Sequence, residues 1–231
     1  MYYNSFSPNM KLSDLILSNY KLLSVFNRFD INLGFGEKTI FDICSQKQIT
    51  PEFFILVCNI YSFEDYLPNN KNLLDINPKE LINFLRKTHY YFLKESLSEI
   101  ENDLDELCEH CEDNHLVILK KFFIDYRKEV INHFEYEENI VFPYIENINK
   151  LGFNTDYNIH IFEDNHSNIE DKLSDLKNII IKYLPETCSS KKRSILLEKL
   201  FCFQDELIIH SRIEEKILIP LVSEIEKHIN D

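Results

Sequence analysis

The chain has 231 residues, 44% of them hydrophobic, which is enough to bury a sizeable core and excludes a disordered or fibrous protein. Its 39 acidic residues outnumber its 25 basic ones, and the resulting net charge of −14, with no offsetting Lys/Arg stripe, argues against nucleic acid as a partner. With only 3 Gly and 7 Pro there are few helix breakers, so long helices are the simplest arrangement.

In chain order, the opening stretch MYYNSFSPNMKLSDLILSNY has no basic segment followed by an apolar run and cleavage site, and no later stretch is apolar enough to span a bilayer. A cytoplasmic protein with no membrane partner is expected. Residues 1–66 hold short apolar segments separated by the turn LGFGEK and by Gln48-Ile-Thr-Pro51, and read as a small helical N-terminal domain. Residues 67–78, LPNNKNLLDINP, concentrate Pro and Asn without periodicity and read as a linker. Residues 79–231 carry apolar positions at helical spacing over roughly 79–110, 115–148, 155–184 and 191–229. The predicted fold is all-α: an antiparallel up-down four-helix bundle preceded by the small domain. Six cysteines, mostly in apolar helical contexts, read as reduced thiols and not as a disulfide framework.

The second and fourth long segments repeat one pattern. Glu129-x3-His133-x3-Glu137-Glu138-x-Ile140-x2-Pro143 matches Glu206-x3-His210-x3-Glu214-Glu215-x-Ile217-x2-Pro220 at a constant offset of 77, and the same offset links His89 to His166. The bundle is therefore two copies of one helical hairpin. Residues level with each other on antiparallel helices are equidistant from the intervening turn, and the midpoints 111, 188 and about 150 all fall in polar, breaker-rich gaps. Four histidines from four helices, His89, His133, His166 and His210, thus meet at one level.

A four-residue spacing turns about 40° and rises about 6 Å, so His133 shares a face with Glu137, and His210 with Glu214. Glu138 and Glu215 rotate on by about another 100° and are expected on the solvent side. Four imidazoles and two carboxylates in a core call for metal, because a buried isolated carboxylate is strongly disfavoured. This donor set suits iron, manganese or zinc, and six ligands are too many for one tetrahedral zinc, so two octahedral-leaning ions fit best. Glu129 and Glu206, one turn before the histidines, are candidates to hydrogen-bond an imidazole or to line a channel. The Cys108-Glu-His-Cys111 stretch stands alone and reads as an ordinary helix turn. His110, His115, His160 and His228 read as loop or surface groups, and Tyr90 and Tyr136 as packing residues beside the ligands.

These motifs resemble the hemerythrin-like di-iron domain, and specifically the iron-sulfur cluster repair proteins called Repair of Iron Centers. That resemblance implies two non-haem iron ions, terminally bound by His89, His133, His166 and His210 and bridged by Glu137 and Glu214, with an oxo or hydroxo group between them. It implies repair of iron-sulfur clusters damaged by nitric oxide or oxidants, with damaged iron-sulfur proteins as partners. An O2 or NO sensor, or a di-iron oxidase or NO reductase, would use the same ligands. The segment Asp14-Leu-Ile, Val25-Phe26, Ile31, Gly36 and Ile40-Phe-Asp-Ile-Cys44 also resembles that family's N-terminal domain. The family's usual Cys-Cys pair is replaced here by Gly34 and Phe35, which leaves Cys44 as the candidate reactive thiol.

Overall fold

A computed structural model describes residues 5–69, 73–109, 114–148, 150, 156–165, 169 and 171–230. Among these residues the regular structure is helical, with one isolated bridge between Lys11 and Thr39. Twelve α-helices are described: α1 Leu12–Ser18, α2 Leu22–Arg28, α3 Ile40–Lys47, α4 Pro51–Ser62, α5 Pro78–Tyr90, α6 Leu97–Glu109, α7 Asn114–Tyr136, α8 Phe142–Asn147, α9 Ile159–Asn165, α10 Asp171–Lys182, α11 Ser190–Ile213 and α12 Ile219–Asn230. Three π-helical turns, Tyr91–Ser96, Glu137–Val141 and Glu214–Leu218, join α5 to α6, α7 to α8 and α11 to α12 into longer rods.

The chain divides into two compact units. One comprises 88–144 and 164–210. Its core is a ladder of apolar side chains at helical spacing: Leu97, Ile100, Leu104 and Leu107 from α6, Leu119, Phe123, Tyr126 and Val130 from α7, Leu173, Leu176 and Ile180 from α10, and Leu196, Leu200, Phe203 and Leu207 from α11. Ion pairs on its rim record the helix directions. Lys120 pairs with Asp105 at 2.5 Å and Arg127 with Glu101 at 3.7 Å, so α7 advances as α6 retreats. Lys192 meets Glu106 at 3.4 Å and Lys199 meets Asp103 at 2.8 Å, so α11 also runs antiparallel to α6, and Lys172 ties α10 to Glu129 of α7 at 2.5 Å. The connection between α10 and α11 is a turn closed by Cys188 N–H donating to the Pro185 carbonyl at 3.1 Å, at the midpoint the spacing required.

The other unit comprises 1–87, 145–163 and 211–231. Aromatic packing holds α2, α4 and α5 together: Phe29 lies 5.2 Å from both Phe54 and Phe84, and Phe26 5.8 Å from Phe54. A capping box starts α3, with Thr39 and Asp42 exchanging side-chain-to-backbone bonds. This unit ties the N-terminal helices to later parts of the chain. Arg86 bonds Glu146 at 2.7 Å, Arg212 donates to the Ile60 carbonyl at 3.4 Å, and Lys216 donates to the carbonyls of Glu64 and Tyr66 at 3.1 and 3.2 Å.

Two thiol expectations change. Cys188 is disulfide-bonded, whereas Cys44, Cys58, Cys108 and Cys202 are free. Cys44 is fully buried, and burial, helped by the charges of Glu52 and Glu80, pushes its thiol up to about 12. It is therefore protonated and unreactive at neutral pH, not the nucleophile the sequence suggested. Burial also pushes the Cys58 thiol well above its ordinary value.

Candidate metal centre

His89 stands one residue before the end of α5, His133 near the end of α7, and His210 near the end of α11. Glu137 opens the π turn that follows His133, and Glu214 opens the π turn that follows His210. Each π turn widens the helix by one residue at the level where the chain presents polar groups to its core, a habit of functional positions in helices. His89, Glu137, His210 and Glu214 are all buried, Glu137 and Glu214 completely.

Within the 88–144 and 164–210 unit, Glu137 is the hub. Its Oε1 lies 2.7 Å from His133 Nε2, and its Oε2 lies 2.9 Å from His89 Nε2 and 3.7 Å from His210 Nε2. Three imidazole nitrogens thus converge on the two oxygens of one buried carboxylate. His89, Glu137 and His210 bring one donor atom each within 4.8 Å of one another. Burial alone would drive the Glu137 carboxyl up; the imidazoles of His133, His210 and His89 outweigh that and hold it well below the usual carboxylate range.

An aromatic wall isolates this cluster. Phe134 stacks on the His89 ring at 4.3 Å with an interplanar angle of 18°, and Phe142 stacks on it at 5.5 Å and 9°. Phe92 and Phe134 present themselves to His210 at 81° and 83°. Buried carboxylate and imidazole groups enclosed by phenylalanines, with no thiolate in the group, suit a hard-to-borderline cation such as non-haem iron.

The Hemerythrin HHE cation binding domain model matches residues 81–222, more than half of the chain. The chain belongs to the hemerythrin HHE family. No curated protein matches it significantly in sequence. In this hemerythrin-like chain His89, His133, Glu137 and His210, all singled out by its motifs, converge within one unit; Glu214 is buried one helical turn beyond His210, and His166 lies outside the described residues.

Other expectations sort as follows. Glu129 is half-buried with both carboxylate oxygens held by Lys172, whereas its repeat mate Glu206 is buried. Tyr90 is exposed and does not pack against the centre. Cys108 is a free thiol that burial keeps protonated, while His110 and Cys111 lie outside the described residues. Gly34 and Phe35 serve the turn: Gly34 has a φ of 90°, which favours glycine, and Phe35 packs 5.9 Å from Phe26.

Glu138 is the residue that sequence reasoning misplaced. Its Oε1 is 2.8 Å from His89 Nδ1. The solvent-side expectation assumed continuous α-helix, but a wider π turn begins at Glu137, and an imidazole carries nitrogens on two edges, so one histidine can span two neighbouring carboxylates. Glu215, the equivalent in the second repeat, is exposed as expected. The adjacent Glu-Glu doublet was the only available signal.

Proposed function

We propose that His89, His133, Glu137, His166, His210 and Glu214 hold two non-haem iron ions joined by an oxo or hydroxo bridge, and that the protein restores iron-sulfur clusters damaged by nitric oxide or oxidants by supplying iron. The observation that carries the di-iron reading is Glu137: a buried carboxylate whose two oxygens address different imidazoles, 2.7 Å from His133 and 2.9 Å from His89, suits two cations better than one. When bound, the iron pair supplies releasable metal and open positions for small ligands such as O2 or NO. The chain's own part is to position and to shield. Glu137 and the histidines provide the donors, and Phe92, Phe134 and Phe142 keep bulk water away from them.

The thiols support iron supply over thiol exchange as the route of repair. Gly34 and Phe35 stand where the family's cysteine pair stands, and Cys44 and Cys58 are buried and protonated. The partners under this reading are damaged iron-sulfur proteins in the cytoplasm. Among the described residues no helix is long and apolar enough to cross a membrane.

A second reading, sensing of O2 or NO, is favoured by one specific observation. Arg212 and Lys216, which flank Glu214 in sequence, donate to the carbonyls of Ile60, Glu64 and Tyr66, so a change at Glu214 has a short path to the N-terminal helices. The deciding measurement is reactivation of a nitric-oxide-damaged iron-sulfur enzyme by the iron-loaded protein. Recovery is expected; no recovery from a preparation holding about two irons per chain, together with reversible O2 or NO spectra, would replace repair by sensing.

A further inference from the structure

His89 is addressed by carboxylates on both edges. Its Nε2 is 2.9 Å from Glu137 Oε2 and its Nδ1 is 2.8 Å from Glu138 Oε1, while Phe134 and Phe142 stack on its ring. The stacked phenyl rings set the plane of the imidazole and leave its two edges to be assigned by hydrogen bonding. A neutral imidazole has one N–H donor and one bare nitrogen, and whichever nitrogen is held as a donor leaves the other as the ligand. Glu138 is the carboxylate on the outer side: its side chain is 33% exposed, whereas Glu137 is fully buried within the cluster.

From this geometry we propose that Glu138 is a positioning residue: it accepts a hydrogen bond from His89 Nδ1–H and so fixes the tautomer whose Nε2 lone pair faces the metal centre. The inference rests on the metal-binding reading above and assigns Glu138 a role toward the bound cation through His89 alone. Carboxylate partners of this kind orient a ligating imidazole and raise its basicity, and losing one weakens metal binding by roughly 10- to 100-fold. Glu215 occupies the same place in the second repeat's motif and is exposed, so E215A removes the same charge at a residue other than the one that touches His89.

The test uses the full-length protein and three variants, E138A, E138Q and E215A, each loaded with Fe(II) under anaerobic conditions and competed against a chelator. E138A is expected to lose roughly 10- to 100-fold in iron affinity, E138Q to retain part of it because the amide oxygen still accepts, and E215A to leave the His89 signal as in the wild type. Long-range 1H–15N spectra of histidine-labelled protein, metal-free and with diamagnetic zinc, report the tautomer directly. The wild type is expected to carry its His89 proton on Nδ1, with that signal moved or broadened in E138A. Wild-type affinity and an unchanged His89 spectrum in E138A would overturn the proposal, as would an E215A variant that moves the His89 signal as far as E138A does. A wild-type protein that takes up no iron would instead sink the metal-binding reading, and the metal-free His89 spectrum would still decide the role of Glu138.

Discussion

Glu137 concentrates the chemistry of the centre in one side chain. A fully buried carboxylate survives only where donors surround it, and here three imidazoles do so. Its truncation therefore strands those histidines together, and His133→Ala or Glu214→Ala removes a donor from the set. Each alanine variant is expected to lose bound iron while keeping its helical circular dichroism; iron analysis that still finds about two irons per chain would count against the assignment. The buried thiol makes a separate prediction. An acid whose folded pKa is raised favours the folded state while it is protonated. Cys44 thus contributes stability that is fully present below its ordinary 9.0 and is lost as pH climbs toward about 12. At neutral pH, iodoacetamide should label exposed Cys202 in the folded protein and spare Cys44 and Cys58, which mass spectrometry of the alkylated peptides would show.

At the scale of helices, the aromatic wall both packs the core and seats the histidines. Phe134 is fully buried and contacts His89, Phe92 and His210, so Phe134→Ala should cost roughly 3–5 kcal/mol in urea unfolding and loosen metal binding as well. The helices themselves were largely legible. Apolar spacing placed segments at 79–110, 115–148 and 191–229, and the rods found at 78–109, 114–147 and 190–230 agree, because amphipathic periodicity is a long-range average that tolerates local change. The same averaging hid the π turns. One extra residue in a turn barely alters periodicity over a rod of thirty residues, yet it decides which neighbour of Glu137 can reach His89. The site was legible where it depended on spacing and illegible where it depended on backbone winding. Nor did spacing alone reveal that Cys188 is bonded.

Over the whole molecule, two features act at long range. The sequence places a linker at 67–78, and Leu67 is highly exposed, so limited proteolysis is expected to cut there first. The contacts of Arg212 and Lys216 with Ile60, Glu64 and Tyr66 predict that the two fragments then stay associated on size exclusion; fragments that separate would mean those contacts contribute little. The net charge of −14 sets a field that draws cations toward the protein and that salt screens. Fe(II) uptake should therefore slow as ionic strength rises, while the final iron content stays the same.

The three π turns have a further consequence for how fast metal can leave. At Tyr91–Ser96, Glu137–Val141 and Glu214–Leu218 the regular ladder of backbone bonds is broken at or just past the positions of His89, Glu137 and Glu214. Such seams let a rod flex locally while its apolar core stays shut, so a ligand can swing aside without unfolding of the bundle. A storage site benefits from the opposite, an unbroken scaffold with slow exchange. In hydrogen-exchange experiments on the metal-free protein these three seams should open well before the helices on either side, and iron loading should slow them most. The backbone would then carry a kinetic signature of a donor: metal held securely at rest and released on the timescale of a local fluctuation.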